Sequence, residues 1–132
     1  MSKFILDGMR VLVMEDEFLI ALDVEQICRD HGAADVVIVS NIEALGPDPF
    51  AQEPFHAAVL DLMLSGKPTL DFAAQLLERA IPFVFATGHS QSENFFDKFD
   101  GIPVVGKPYS GRDLLDALAS AFERTTSELG RA

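Results

Sequence analysis

Short β-branched apolar runs alternate with longer amphipathic segments along the whole chain. The runs are Arg10 to Met14 (RVLVM), Asp35 to Val39 (DVVIV), Ala57 to Leu60 (AAVL), Pro82 to Ala86 (PFVFA) and Pro103 to Val105 (PVV). Each is short and carries little polar interruption, the pattern of a strand buried on both faces. The segments between them have helical spacing. Glu17 to His31 opens on acids, sets Ile20, Val24, Ile27 and Cys28 on one face, and stops at Gly32, a residue suited to C′. Thr69 to Ala80 places Leu70, Ala73, Ala74 and Leu77 on one stripe and ends ahead of Pro82. The last segment runs from Ser110 towards Leu129, with Leu114, Leu118 and Phe122 at four-residue spacing; Ser110 and Asp113 form a capping-box pattern. Asn41 can begin a helix, but Gly46, Pro47 and Pro49 interrupt it. A short or broken element is therefore expected from Asn41 to about Pro54.

Five strands alternating with helices predict βαβ units and a parallel sheet covered on both faces. Right-handed crossovers restrict such a chain to a few doubly wound orders. Ligands of these sheets sit beyond the C-terminal strand ends, near the switch in strand order. The 132 residues fit one domain, with a core from about residue 9 to 124 and no repeat or linker.

Composition narrows the function classes. The chain carries 21 acidic against 10 basic residues, a net charge of −11, which disfavours direct contact with nucleic acid or an anionic membrane. One cysteine, Cys28, excludes an internal disulfide and reads as a small buried hydrophobe. No apolar run approaches the roughly 18 residues of a membrane span, and Met1 to Gly8 lacks a signal peptide's apolar stretch. A soluble, cytoplasmic protein is expected.

The polar residues at the strand ends carry the candidate chemistry. Glu15, Asp16 and Glu17 follow the first strand, Asp61 the third, Thr87 the fourth, and Lys107 with Pro108 the fifth. Parallel strands bring all of these to one rim. Carboxylates about 4 Å apart repel by roughly 1 kcal/mol in water and about 4 at an effective dielectric of 20, so a cleft of them calls for a cation. Magnesium, bound by one or two carboxylates, waters and a phosphate, answers that need. Lys107 supplies a point charge for a phosphoryl oxygen and Thr87 a hydroxyl donor. Asp61, directly after a buried strand, then suits the role of nucleophile towards phosphorus. Each residue taken singly also has a structural explanation, as a helix N-terminus, a turn or a strand junction. The combination at four strand ends points to chemistry.

VLVMEDEFLIALD, VLDLML around Asp61, PFVFATG ending at Gly88 and VVGKPYS around Lys107 resemble bacterial response-regulator receiver domains. The resemblance covers about Arg10 to Glu123, and the FATG and KPYS segments resemble a subgroup of single-domain receivers from alphaproteobacteria. It implies a flavodoxin-like fold, a five-stranded parallel sheet of order 2-1-3-4-5 flanked by five helices. It implies magnesium, replaceable by manganese, held by Glu15, Asp16, Asp61 and the Met63 carbonyl. Asp61 would accept phosphoryl from a sensor histidine kinase or phosphotransfer protein, with Thr87 and Lys107 gripping the product. Self-phosphorylation of this kind is not enzymatic turnover.

Three positions depart from the family pattern. Val104 stands where many receivers carry a switching Tyr or Phe; Ser65 stands where a proline is common, which predicts a more mobile loop; and the second helix carries prolines. Met63 and His89 occupy positions that tune phosphoryl lifetime in this family. An imidazole ordinarily titrates near about 6.5, so His89 would make that lifetime depend on pH, although a solvent-facing helix N-terminal role is equally open. Output falls to a protein contact with an unknown downstream partner. Phe95, Phe96, Phe99, Val104 and Tyr109 are the candidate surface, which also allows a homodimer through the fourth helix, fifth strand and fifth helix. Phe95, Phe96 and Phe99 have helical spacing, and at least two are expected in the core. The rival reading is a pseudo-receiver that serves only as an interaction module. Acids where a flavin phosphate wants glycines and hydroxyls argue against a flavin site, and general phosphatase turnover is a third class.

Overall fold

The computed structural model describes residues 4–51, 53–88, 99, 101–107 and 109–129. Its main sheet has five parallel strands: β1 (Arg10–Met14), β2 (Asp35–Val39), β3 (Ala57–Asp61), β6 (Phe83–Thr87) and β7 (Val104–Gly106). Between β3 and β6 lies an antiparallel hairpin of β4 (Met63–Leu64) and β5 (Lys67–Pro68). The sheet order is β2-β1-β3-β6-β7, so the five sheet strands run second, first, third, fourth, fifth. Three α-helices are described, α1 (Phe18–Asp30), α2 (Leu70–Glu78) and α3 (Gly111–Leu129), with a 3-10 turn at Ile42–Leu45. Five helices were expected. The prolines reduce the second to that single turn, capped by Asn41 Oδ1 accepting from the Ala44 N–H at 2.9 Å, and the expected fourth falls on residues 89–98, outside the described ones.

The strands alternate their side chains between two cores, as the period of two demands. Leu12, Met14, Leu60, Phe83 and Phe85 face α2 and join Phe72, Leu76 and Phe99. Val11, Val13, Val59, Val84 and Val105 face α1 and α3 and join Val24, Cys28, Leu114 and Leu118. Larger side chains thus fill the side covered by the short α2, and compact β-branched ones the side covered by two longer helices. On α2 the buried centre is Phe72, Ala73 and Leu76, with Leu70, Ala74 and Leu77 only partly buried. The expected stripe is correct in spacing but rotated towards Phe72, because the bulkiest side chain claims the middle of the contact.

The helix ends follow their sequence signals. Gly32, at φ 98°, closes α1 with two bonds: its own N–H to the Arg29 carbonyl and the Ala33 N–H to the Cys28 carbonyl, a Schellman arrangement. Asp113 N–H donates to Ser110 Oγ at 3.0 Å and Ser110 N–H to Asp113 Oδ2 at 3.3 Å, the reciprocal capping box. Three strands end one residue later than the apolar runs predict. Asp61 and Thr87 are therefore the last residues of fully buried strands rather than the first of loops.

Candidate functional site

At the C-terminal end of β1, Glu15 is buried and Asp16 exposed. Glu15 Oε2 accepts the Glu17 N–H at 3.0 Å, which turns its carboxylate back over the start of α1. Asp61 ends the adjacent strand β3, in register with Ala86 of β6. Oxygens of Glu15, Asp16 and Asp61 lie within 4.8 Å of one another. On the far side, the Lys107 N–H donates to the Thr87 carbonyl at 2.7 Å, extending the β6–β7 ladder and fixing the root of the lysine. Its ammonium reaches Glu15 Oε1 at 2.6 Å, Asp61 Oδ2 at 3.1 Å and Glu17 Oε2 at 3.8 Å.

Burial governs the electrostatics here. It pushes the Glu15 carboxyl above its ordinary value, and the hydrogen bonds from Lys107 and the Glu17 backbone offset that rise only in part. Burial also penalises the charged Lys107, but its hydrogen bonds to Glu15 and Asp61 outweigh the penalty and hold it above its ordinary value. Lys107 thus stays an ammonium across the physiological range, bound to two nearly buried carboxylates. Glu15, Asp61 and Glu17 meet one lysine, and with Asp16 beside them they offer oxygen donors of the hard type that suits magnesium or manganese.

The hairpin β4–β5 forms the third wall. Ser65 and Gly66 both have positive φ, 50° and 78°, as a two-residue type I′ turn requires. The Ser65 N–H donates to Asp16 Oδ2 at 2.8 Å and its hydroxyl to the Ser40 carbonyl at 2.6 Å. Where the missing proline predicts a loose loop, the chain builds a turn anchored to the acidic rim. Met63 presents a half-exposed side chain beside Asp61, and its N–H approaches Asp61 Oδ1 at 3.3 Å.

Glu15, Asp61 and Lys107 are thus brought into direct contact, with an Asp16 oxygen within 4.8 Å of the other two carboxylates and Thr87 and Met63 adjoining. Other candidates fall elsewhere. Val104 is exposed on the edge strand β7, paired with Phe85. Phe99 is buried against Phe83 and Phe85, so it belongs to the core and not to an output surface. Tyr109 packs against the α1 side of the core, lining a cleft with Ile20, Asp23 and Ile27, because the β7–α3 connection folds it inwards. That corrects its placement on the output face. His89, Phe95, Phe96 and Pro108 lie outside the described residues. Sequence reasoning missed Thr69, whose buried hydroxyl donates to the Asp61 carbonyl at 2.8 Å. Its position before an apolar stripe reads as a helix start, which conceals the reach back to β3. None of the described helices is long and apolar enough to cross a membrane.

No family model matches the chain. It is 30% identical over 118 residues to Nodulation protein W of Bradyrhizobium diazoefficiens, an alignment covering 86% of this chain and 51% of that protein. The chain therefore spans about half the length of that curated relative. The structure of SdrG from Sphingomonas melonis Fr1 superposes with a TM-score of 0.73 at 30% identity, covering 87% of this chain and 97% of SdrG. A CheY-like response regulator receiver domain protein from Methanospirillum hungatei JF-1 superposes with a TM-score of 0.75 at 23% identity, over 92% of this chain and 99% of that one, a likeness of fold.

Proposed function

We propose that this chain, which belongs to the response-regulator receiver domains, is a phosphoacceptor of a two-component system with Asp61 as the modified residue. The observation that carries this reading is the ammonium of Lys107 held 3.1 Å from Asp61 and 2.6 Å from buried Glu15, two carboxylates whose oxygens also lie within 4.8 Å of an Asp16 oxygen. An Asp61 oxygen attacks phosphorus, a new O–P bond forms, and the P–N bond to the donor's histidine breaks. The imidazole leaves with the electron pair and takes up a proton. Lys107 exchanges its carboxylate partners for a phosphoryl oxygen, and the Thr87 hydroxyl donates to another. Glu15, Asp16, Asp61 and the Met63 carbonyl would hold magnesium, which when bound neutralises the acids and the incoming phosphoryl charge.

A sensor histidine kinase or phosphotransfer protein is the proposed donor. To bring its histidine to Asp61 the donor must cover the surface around the rim. There the first turns of α1 expose Phe18, Leu19 and Leu22, an apolar face suited to a protein and not to a small anion. Val104 leaves the aromatic switch unfilled, so output is proposed to pass from Thr87 through the surrounding backbone to a protein partner. His89 is proposed to tune phosphoryl lifetime.

Incubation with acetyl phosphate and magnesium, followed by intact-mass measurement, is expected to add one phosphoryl group to the wild type and none to Asp61→Asn. An unmodified wild type with its fold intact would instead support the pseudo-receiver, an interaction module that never takes phosphoryl.

A further inference from the structure

Thr69 is fully buried. It is the N-cap of α2, yet its side chain makes no capping bond. An N-cap threonine ordinarily accepts a backbone N–H from its own first turn, a contact worth about 1 kcal/mol. Here the hydroxyl points away from the helix: Oγ1 lies 2.8 Å from the Asp61 carbonyl and 3.3 Å from the Leu62 carbonyl. The Thr69 N–H donates to the same Leu62 carbonyl at 3.1 Å, and the Thr69 carbonyl accepts from Ala73 N–H at 2.9 Å. One residue therefore ties the start of α2 to the end of β3.

The tie closes a loop. Between Leu62 and Thr69 the chain makes the β4–β5 hairpin, whose Ser65 N–H rests on Asp16 and whose Met63 N–H rests on Asp61. With both ends of the hairpin pinned by Thr69, the Asp61 carboxylate is left facing Lys107 and the turn is left facing Asp16. We propose that Thr69 is a positioning residue for the phosphoacceptor: its hydroxyl orients the Asp61–Leu62 peptide, and through it the carboxylate and the hairpin wall. This rests on the reading of Asp61 given above. The polarity of Thr69 serves the site and leaves the helix without a side-chain cap.

Thr69→Val keeps the shape and removes the hydroxyl, whereas Thr69→Ser keeps the hydroxyl and removes the methyl. Three quantities are measured: thermal unfolding by circular dichroism, magnesium affinity from amide chemical shifts, and the rate of phosphorylation by acetyl phosphate at saturating magnesium. The serine variant is expected within about twofold of wild type in affinity and rate. The valine variant is expected to fold, to phosphorylate about tenfold more slowly and to bind magnesium more weakly, as loss of one buried hydrogen bond with its acceptor left behind implies. Wild-type behaviour in the valine variant, or a serine variant as slow as the valine one, overturns the proposal. Should Thr69→Val not fold, Thr69→Ala is measured at lower temperature; failure of both to fold makes the role purely structural and also overturns it. An unmodified wild type would refute the phosphoacceptor reading instead, and the magnesium titration would still score Thr69.

Discussion

The two ends of the sheet each set one cation among acids, and they differ in how far water reaches those acids. At the N-terminal edge, Arg10 Nε meets Asp35 at 3.3 Å and Glu53 at 3.8 Å, its Nη1 donates to the Glu53 carbonyl at 2.6 Å, and its guanidinium lies 4.4 Å over the Phe55 ring. At the C-terminal edge, Lys107 meets Glu15, Asp61 and Glu17. The difference is burial. The side chains of Asp35 and Glu53 are 52% and 82% exposed, so water screens them, while those of Glu15 and Asp61 are 3% and 11% exposed. Arg10 also directs its fork at partners fixed in direction, whereas a lysine can change partners without breaking a planar geometry. The comparison teaches that poor solvation of the acids, rather than their number, distinguishes the end proposed to take a cation and a phosphoryl group.

Paired substitutions test this most severely. Lys107→Met is expected to slow phosphorylation by acetyl phosphate about 100-fold, the scale of losing one fixed charge donor at a transition state. Arg10→Met is expected to leave that rate within about twofold while lowering stability by about 1–2 kcal/mol, through its carbonyl bond and ring contact. Rate constants from intact-mass time courses, beside urea unfolding curves, decide it. Equal losses of rate at both ends would break the comparison.

The sheet end was legible because it is built from local signals. Each apolar run is followed within two residues by a polar one, and parallel strands must bring those ends together. Strand order itself came from the likeness of VLDLML and VVGKPYS to receiver domains, since no local signal sets it. What stayed hidden depends on distant partners. Thr69 looks like an ordinary helix start because its target lies eight residues back on another element. The inward turn of Tyr109 depends on packing against α1, and the network at Arg10 joins β1 to residues after position 50. The hairpin was the readable omission. Ser65-Gly66 between Met-Leu and Lys-Pro is a two-residue turn signal, overlooked when Ser65 is weighed only as a missing proline.

A second, smaller effect separates the ends by pH. The folded state raises the Glu15 carboxyl above its unfolded value of 4.5. Its contribution therefore favours the fold most at pH below 4.5 and is lost as pH rises through the higher folded value. At pH 7 to 8, without divalent cations, ionised Glu15 costs stability, and Glu15→Gln is expected to melt above wild type. The gap is expected to close as pH falls towards 4.5. Lys107 plays no part in that window, because its raised value keeps its contribution constant until pH exceeds 10.5. Asp35→Asn at the screened end is expected to change stability by about 1 kcal/mol or less. A Glu15→Gln variant less stable than wild type at pH 8 would show that its bond to Lys107 outweighs its burial.

The smallest effect concerns a donor that the rim does not use. The Tyr109 hydroxyl is buried and has no hydrogen-bond partner among the described residues, in contrast to Arg10, whose donors meet fixed acceptors. Burial holds its phenol above the ordinary value, and the nearby Glu15 and Asp61 charges add to that, so it remains a neutral hydroxyl throughout the working range. A buried donor without an acceptor forgoes its hydration, so removing it costs nothing and recovers about 1 kcal/mol at most. Tyr109→Phe is accordingly expected to be as stable as wild type or slightly more so in urea unfolding, with an unchanged rate of phosphorylation. A clear loss of stability would mean that the hydroxyl is satisfied in solution, and a loss of rate alone would make it a working member of the acidic end.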